Sequence, residues 1–431
     1  MIDSFFKLRQ HNTTVSTEIT AGITTFLTMA YVVVVNPSIL SNTGMDFGAV
    51  FVATIIAAVI GTSIMGFWAN WPVALAPGMG LNAFFTYGIV LGMGISWQIA
   101  LGAVFWSGLL FVILSFSNLR VWVINSIPKS LKLGVGAGIG FFLAFIGLKN
   151  AGIVVDNPAT LVGLGDLTSP SALLACLGFV SMVILDHHKV LGSIILSILG
   201  VGVLGIVLGV SEFHGIVGAV PSIAPTFLQM DLMGVFTAGF IGIIFAFLFV
   251  DFFDTAGTLT SVANLSGRVD KDGKVENIGR AVLADSSATL LSSFLGTSNT
   301  TSYIESGAGV KAGGRTGLTA VVVAVLFAAC LFLYPLAKSI PSFATAPALI
   351  FVATFFASNL TEIDWNDPTE YAPAMVAAII MPLTFSVANG LALAFISYVA
   401  VKLFSGRGKE LNPAIILVAL LSVLYYALLN N

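Results

Sequence analysis

Long apolar runs separated by short polar stretches repeat along all 431 residues. Phe51–Phe67, Ile99–Leu114, Leu191–Val210 and Leu318–Leu333 are long enough, or nearly so, to cross the roughly 30 Å hydrocarbon layer of a bilayer. The pattern predicts spans near Ile19–Val35, Phe47–Trp68, Val73–Leu91, Trp97–Phe116, Leu131–Leu148, Ala172–Leu185 and Leu191–Leu208. A second set is expected near Val235–Gly257, Ile278–Leu295, Ser302–Ala312, Leu318–Leu336, Ala346–Phe356, Ala372–Phe385 and Leu391–Leu403. The expected architecture is an all-α polytopic membrane protein of seven plus seven segments. The last apolar run, Pro413–Leu429, fits a fifteenth span or an interfacial helix, and the interfacial helix is preferred.

The third and tenth segments break the pattern. Pro77-Gly78-Met79-Gly80 interrupts the third, while the tenth is short and polar. Pro77 has no backbone donor and disfavours helix before it, so a helix restarts near Gly80 with free N–H groups and a positive dipole end inside the membrane. In the tenth, Thr297–Tyr303 favours extended chain and Glu305–Gly309 starts a helix. Irregular backbone at that depth is tolerable only where it lines a cavity or ligand site. The two breaks fall at matching places in the two halves, and Thr20-Ala21-Gly22 is echoed by Thr237-Ala238-Gly239. An offset of seven spans inverts equivalent helices, and paired broken segments mark the binding site of inverted-repeat transporters.

Charge fixes a direction. With the N-terminus in the cytoplasm, every one of the 17 basic residues except Lys149 and Lys338 falls on the cytoplasmic side, as the positive-inside rule expects. Thr361–Glu370, acidic yet cytoplasmic, fits less well. Met1–Val15 is polar and lacks the pattern of a cleaved signal, so the first apolar segment is expected to be retained. Composition agrees with the spans: 57% hydrophobic, 9% charged, mean hydropathy +1.02. The net charge of −3 gives no reason to expect a nucleic-acid partner. Cys176 and Cys330 lie in apolar runs and read as small core residues.

Against this background Asp251, Asp254 and Glu305 stand out, since each carboxylate at bilayer depth costs roughly 2.5–3.5 kcal/mol. Such groups line a water-filled path or a binding site, which points to a transporter. Asp251, Asp254, Thr255 and Thr258 share one helical face. Plainer readings exist: Asp251 and Asp254 at a helix end pairing with Arg268 or Arg280, Glu305 as a helix cap, Asn82 as an ordinary helix residue. Asp285 reads best as a hydrogen-bonding brace. Phe84, Phe85, Tyr87, Phe252, Phe253 and Tyr303 flank these groups; most are packing residues, with one or two suited to stack on a flat ligand. His187-His188 reads as a solvated turn, and Lys311–Thr316 lacks phosphate-loop spacing. Carboxylates, an amide and aromatics suit a planar, neutral heterocycle with donors and acceptors, and burial fits a carboxylate to exchange a proton.

Several stretches resemble those of purine permeases of the AzgA-like branch of the nucleobase–cation symporter superfamily: Gly22–Tyr31, Ala76–Phe85, Phe249–Leu259, Gly296-Thr297-Ser298 with Tyr303–Ser306, and Gly313–Gly317. The resemblance covers nearly the whole chain. It implies fourteen spans as two inverted repeats, with short strands in segments 3 and 10 pairing around the substrate. It also implies a core domain (16–117 and 233–337) and a gate domain (118–212 and 343–431) after a cytoplasmic N-terminus (1–15). By the family pattern Asp251 and Glu305 hold the purine, Asn82 contributes to recognition, and Asp254 and Gly80 are needed for transport. Thr255 stands where the uracil branch carries a histidine, so proton coupling cannot be copied from that branch. Glu305-Ser306 replaces the xanthine and urate signature, favouring hypoxanthine, guanine or adenine.

The expectation is a proton-coupled purine importer of the bacterial cytoplasmic membrane, working by alternating access, with no cofactor beyond the proton gradient. Asp251, Glu305, Asn82, Gly80, Phe84 and Thr255 are the expected substrate residues, and Asp254, Glu305 and Asp251 the expected transport-essential ones. A homodimer fits the resemblance. The alternatives are a passive channel or anion carrier of the same fold and, further off, an intramembrane aspartyl protease using Asp251 and Asp254.

Overall fold

The computed structural model describes residues 2–116, 127–236, 241–269 and 275–429. Thr237-Ala238-Gly239, Arg120, Lys271, Lys274, the domain boundary at 118 and the ring of Phe253 lie outside what is described. Among the described residues, nine helices are long and apolar enough to cross a membrane by length and composition, and Met79–Leu91 and Ser193–Val207 are shorter apolar helices. The chain is a helical polytopic membrane protein.

Helix ends follow local chemistry. Thr14, Asp46, Ser169, Asp367 and Ser386 each accept a backbone N–H at a helix start, satisfying donors that have no partner within the helix. At the end of Ile278–Leu295, Gly296 adopts φ +88, a left-handed conformation that glycine reaches without strain.

Packing sorts the helices into two sets. Val15–Met29, Phe47–Ile64, Trp97–Phe116, Ile241–Ser266, Ile278–Leu295 and Gly317–Ala329 pack largely on one another. In the other set Lys129–Asn150 lies against Ser342–Ala357 and Pro368–Leu383, with Pro170–His187, Ser193–Val207 and Val387–Phe404 around them. Two short strands meet within the first set. β1 (Leu75–Pro77) pairs antiparallel with β4 (Thr300–Ser302), Ala76 opposite Thr301, and all six residues are buried. A separate two-stranded sheet, the hairpin of β2 (Val154–Asn157) with β3 (Leu161–Leu164), was not expected from the hydrophobic pattern.

Several expected boundaries move, the starts of segments twelve to fourteen by four residues each. The first span starts at Val15, breaks at Ala30-Tyr31, and continues as Val32–Leu40. The eighth runs Ile241–Ser266 rather than Val235–Gly257. Its hydropathy falls after Gly257, yet Thr258, Leu259, Val262 and Ala263 are buried at helical spacing, so the helix persists on one face. Asp251 and Asp254 therefore lie mid-helix, not at an end. Finally, Pro413–Leu429 packs along Val387–Phe404, with the Tyr426 hydroxyl near its end reaching Asn389 at the other helix's start.

Candidate functional site

The strand pair is the centre of the polar core. Gly78 N donates to Asn299 O at 2.9 Å and Tyr303 N to Ala74 O at 3.0 Å, extending the pairing at both ends. The Tyr303 hydroxyl donates to Pro77 O at 2.5 Å, so the carbonyl preceding Gly78 gains a partner from the opposite half.

Two buried carboxylates hold β4. Asp285, on Ile278–Leu295, accepts from Ser302 N at 2.7 Å, Ser302 Oγ at 2.6 Å and Thr255 Oγ1 at 2.6 Å. It is the brace its setting suggested. Thr255 Oγ1 also lies 3.0 Å from Thr301 Oγ1. Thr255 is thus 1% exposed and bound into the scaffold. Asp251, also 1% exposed, takes Thr289 Oγ1 at 2.7 Å and Asn299 Nδ2 at 3.0 Å, both on Oδ2. Its Oδ1 is buried without a hydrogen-bond donor.

Glu305 and Asp254 are more open, each half-buried. Glu305 occupies the N-cap position of Ser306–Lys311 but its side chain makes no capping bond. Instead Tyr31, at the break in the first span, donates to Glu305 Oε1 at 2.8 Å. Asp254 sits one turn along from Asp251. Neither aspartate pairs with Arg268, whose guanidinium donates to Asn70 O at 2.8 Å and Arg315 O at 2.7 Å.

Asn82 is fully buried and hydrogen-bonds to Ser298 Oγ, linking segment 3 to the approach to β4. Phe84 packs edge-on against Phe247 at 5.1 Å, a packing role in this conformation. Gly80 faces the second helix set: a Cβ there would lie 2.5 Å from Ile139 Cγ2. The structure therefore brings Asp251, Glu305 and Asn82 to one short strand and its flanks, and places Gly80 where the two sets touch.

Sequence reasoning missed Asn299, Thr289 and Tyr31. Asn299 lay in a run read only for its backbone. Thr289 had a weak signal: with Asp285, Ser286, Ser292 and Ser293 it forms a buried polar face on an otherwise apolar helix. His187 and His188 are exposed at their helix end, and among the described residues no three His, Cys, Asp or Glu side chains gather as a metal site.

Residues 16–393 match the Permease family (Xan_ur_permease). The adenine permease AdeP of Escherichia coli (strain K12) is 47% identical across 98% of this chain and 95% of its own. The guanine/hypoxanthine permease PbuG of Bacillus subtilis (strain 168) is 44% identical across 99% of this chain and 100% of its own. Among solved structures, the transmembrane domain of the cyanobacterial bicarbonate transporter BicA superposes with a TM-score of 0.63 at 16% identity, covering 88% of this chain and 97% of that domain. At that identity the likeness concerns the fold alone.

Proposed function

This chain belongs to the Permease family, and on that premise we propose that it imports a purine nucleobase by proton symport. Membership makes it a transport protein rather than an enzyme, which disposes of the protease alternative. The proposed location is the cytoplasmic membrane, with the N-terminus inside. The relatives' purine substrates support the choice of cargo.

One observation in the structure carries the reading furthest. Asp251 Oδ1 is a buried acceptor with no donor, and leaving such an atom unsatisfied costs about 1–3 kcal/mol. A ring or exocyclic N–H of a purine would satisfy it, with Glu305, just beyond the other end of β4, as a second acceptor. Asn82 and Gly80 shape the segment 3 flank of the site, Thr255 holds the scaffold, and Asp254 or Glu305, being more open, takes part in proton exchange. The first helix set acts as the core that carries the base and the second as the gate it moves against, each drawing helices from both inverted halves.

An anion carrier, which the BicA fold brings to mind, fits the site poorly. No cation pairs with Asp251 or Glu305 among the described residues, and their negative charge would repel an anion. Uptake of labelled purines into proteoliposomes, with and without an inward proton gradient, tests the proposal. Accumulation that requires the gradient is expected; uncoupled equilibration would leave only a passive carrier.

A further inference from the structure

Asn299 is fully buried beside Asp251, on the residue that leads into β4. Its orientation follows from its partners. The ionised Asp251 carboxylate accepts through Oδ2, 3.0 Å away, so the amide nitrogen faces it and the amide oxygen faces elsewhere. Ser107 Oγ, 3.4 Å from the same nitrogen, agrees with that choice. Asn299 Oδ1 is then left buried without a donor. Asp251 Oδ1 is likewise buried without a hydrogen-bond partner, since Thr289 and Asn299 both reach this carboxylate at Oδ2. Two adjoining groups, joined through Nδ2 and Oδ2, each keep one acceptor in reserve.

Resting on the nucleobase reading above, we propose that Asn299 is a specificity residue whose Oδ1 works with Asp251 Oδ1 to bind a purine edge carrying an exocyclic amino group beside a ring N–H. The chemistry selects that class. One ring N–H satisfies one acceptor only. Guanine sets N1–H beside its 2-amino group, and adenine in its 7H tautomer sets N7–H beside its 6-amino group; hypoxanthine has the ring N–H but lacks the amine. A site with two buried acceptors discriminates against the base that leaves one of them unpaired. Thr289, which touches Asp251 rather than the base, is a positioning residue: its hydroxyl holds Oδ2 and keeps Oδ1 turned towards the ligand.

The test is competition binding of guanine, adenine and hypoxanthine to the purified full-length protein. Wild type is expected to bind guanine or adenine more tightly than hypoxanthine. Asn299→Ala is expected to lose about tenfold for the preferred amino-bearing base and less than about threefold for hypoxanthine, so retained hypoxanthine binding certifies the fold. Asn299→Ser, smaller in its disturbance, should fall between the two. Thr289→Val should weaken all three bases alike, with Thr289→Ser restoring them. Equal losses for hypoxanthine and the amino-bearing bases in the Asn299 variants overturn the proposal, as does a wild type that prefers hypoxanthine. Wild-type protein that binds none of the three would instead remove the nucleobase reading on which it rests.

Discussion

Carboxylates gather in two regions of this molecule and are satisfied in opposite ways: half-exposed and ion-paired in one, buried among neutral donors in the other. In the second helix set, fully buried Lys402 lies 2.7 Å from Glu370 and 2.8 Å from Glu410. Arg407 lies 2.6 Å from both Asp367 and Glu410, and Lys129 lies 2.9 Å from Glu362. Around β4, by contrast, Asp251 and Asp285 receive only hydroxyl, amide and backbone donors. Ion pairs neutralise charge within the fold and leave nothing for a ligand. Neutral donors stabilise a carboxylate's position without cancelling its charge, so a proton or a ligand N–H can still change its state. The first arrangement is a clasp and the second is the proposed site. The clasp also accounts for the acidic Thr361–Glu370 stretch that fits the orientation rule less well: Glu362, Asp367 and Glu370 are answered by Lys129, Arg407 and Lys402.

If that division holds, the sharpest way to break the clasp is Lys402→Met. It removes the cation shared by Glu370 and Glu410, both partly open to solvent and Glu410 still held by Arg407, and should cost roughly 1.5–3 kcal/mol of stability. Thermal unfolding in detergent should show the loss, while the KM for purine uptake in the surviving protein stays at the wild-type value. A raised KM with unchanged stability would reverse the roles assigned to the two regions.

Asp251→Asn and Glu305→Gln make the opposite cut. Each exchanges a charged acceptor for a neutral amide and should lower uptake about 100-fold, the scale of a lost hydrogen bond to a charged group, with membrane levels unchanged. Normal uptake by either variant would remove that residue from the site.

Gly80→Ala probes the contact between the two sets. The added methyl would press on Ile139, and overpacking of this kind costs about 1–3 kcal/mol. Transport should slow about tenfold, and Ile139→Ala in the same chain should restore most of it. Failure of that second change to help would mean that Gly80 acts on the substrate rather than on the interface.

The smallest effect concerns the rim of the clasp. The Thr369 hydrogen bond and Arg407 hold Asp367 down to about 2, below its ordinary 3.8. Its contribution is therefore complete above the ordinary value and fades as pH falls towards 2. The melting-temperature gap between wild type and Asp367→Asn should stay constant from pH 7 to 5 and shrink between pH 4 and 3. A gap that widened on acidification would contradict the assignment.

Much of this arrangement was legible in the chain. Trp97–Phe116 and Ile278–Leu295 begin and end as their hydrophobic pattern predicts, because each is bounded by polar or turn-forming residues. The broken third segment was visible in Pro77-Gly78, since a missing donor and a flexible residue leave few other outcomes. What stayed hidden depended on partners remote in sequence. The break at Ala30-Tyr31 carries no proline or glycine at its centre; Tyr31 is held there by Glu305, 274 residues away. Thr289 and Asn299 are individually unremarkable until the fold brings Asp251 between them. Gly313–Gly317, a motif without an evident role in the sequence, is explained by Glu18, which is fully buried and accepts the backbone N–H groups of Arg315, Thr316 and Thr319 at the start of a helix.

The central claim is that a purine is held by carboxylates kept free of cation partners. Equilibrium binding of a labelled purine to purified wild-type, Asp251→Asn and Glu305→Gln protein tests it most directly, because it separates recognition from movement. The account predicts that each substitution weakens binding by about two orders of magnitude while the Lys402→Met protein, where folded, binds as wild type does. Unchanged affinity in both carboxylate variants would contradict it.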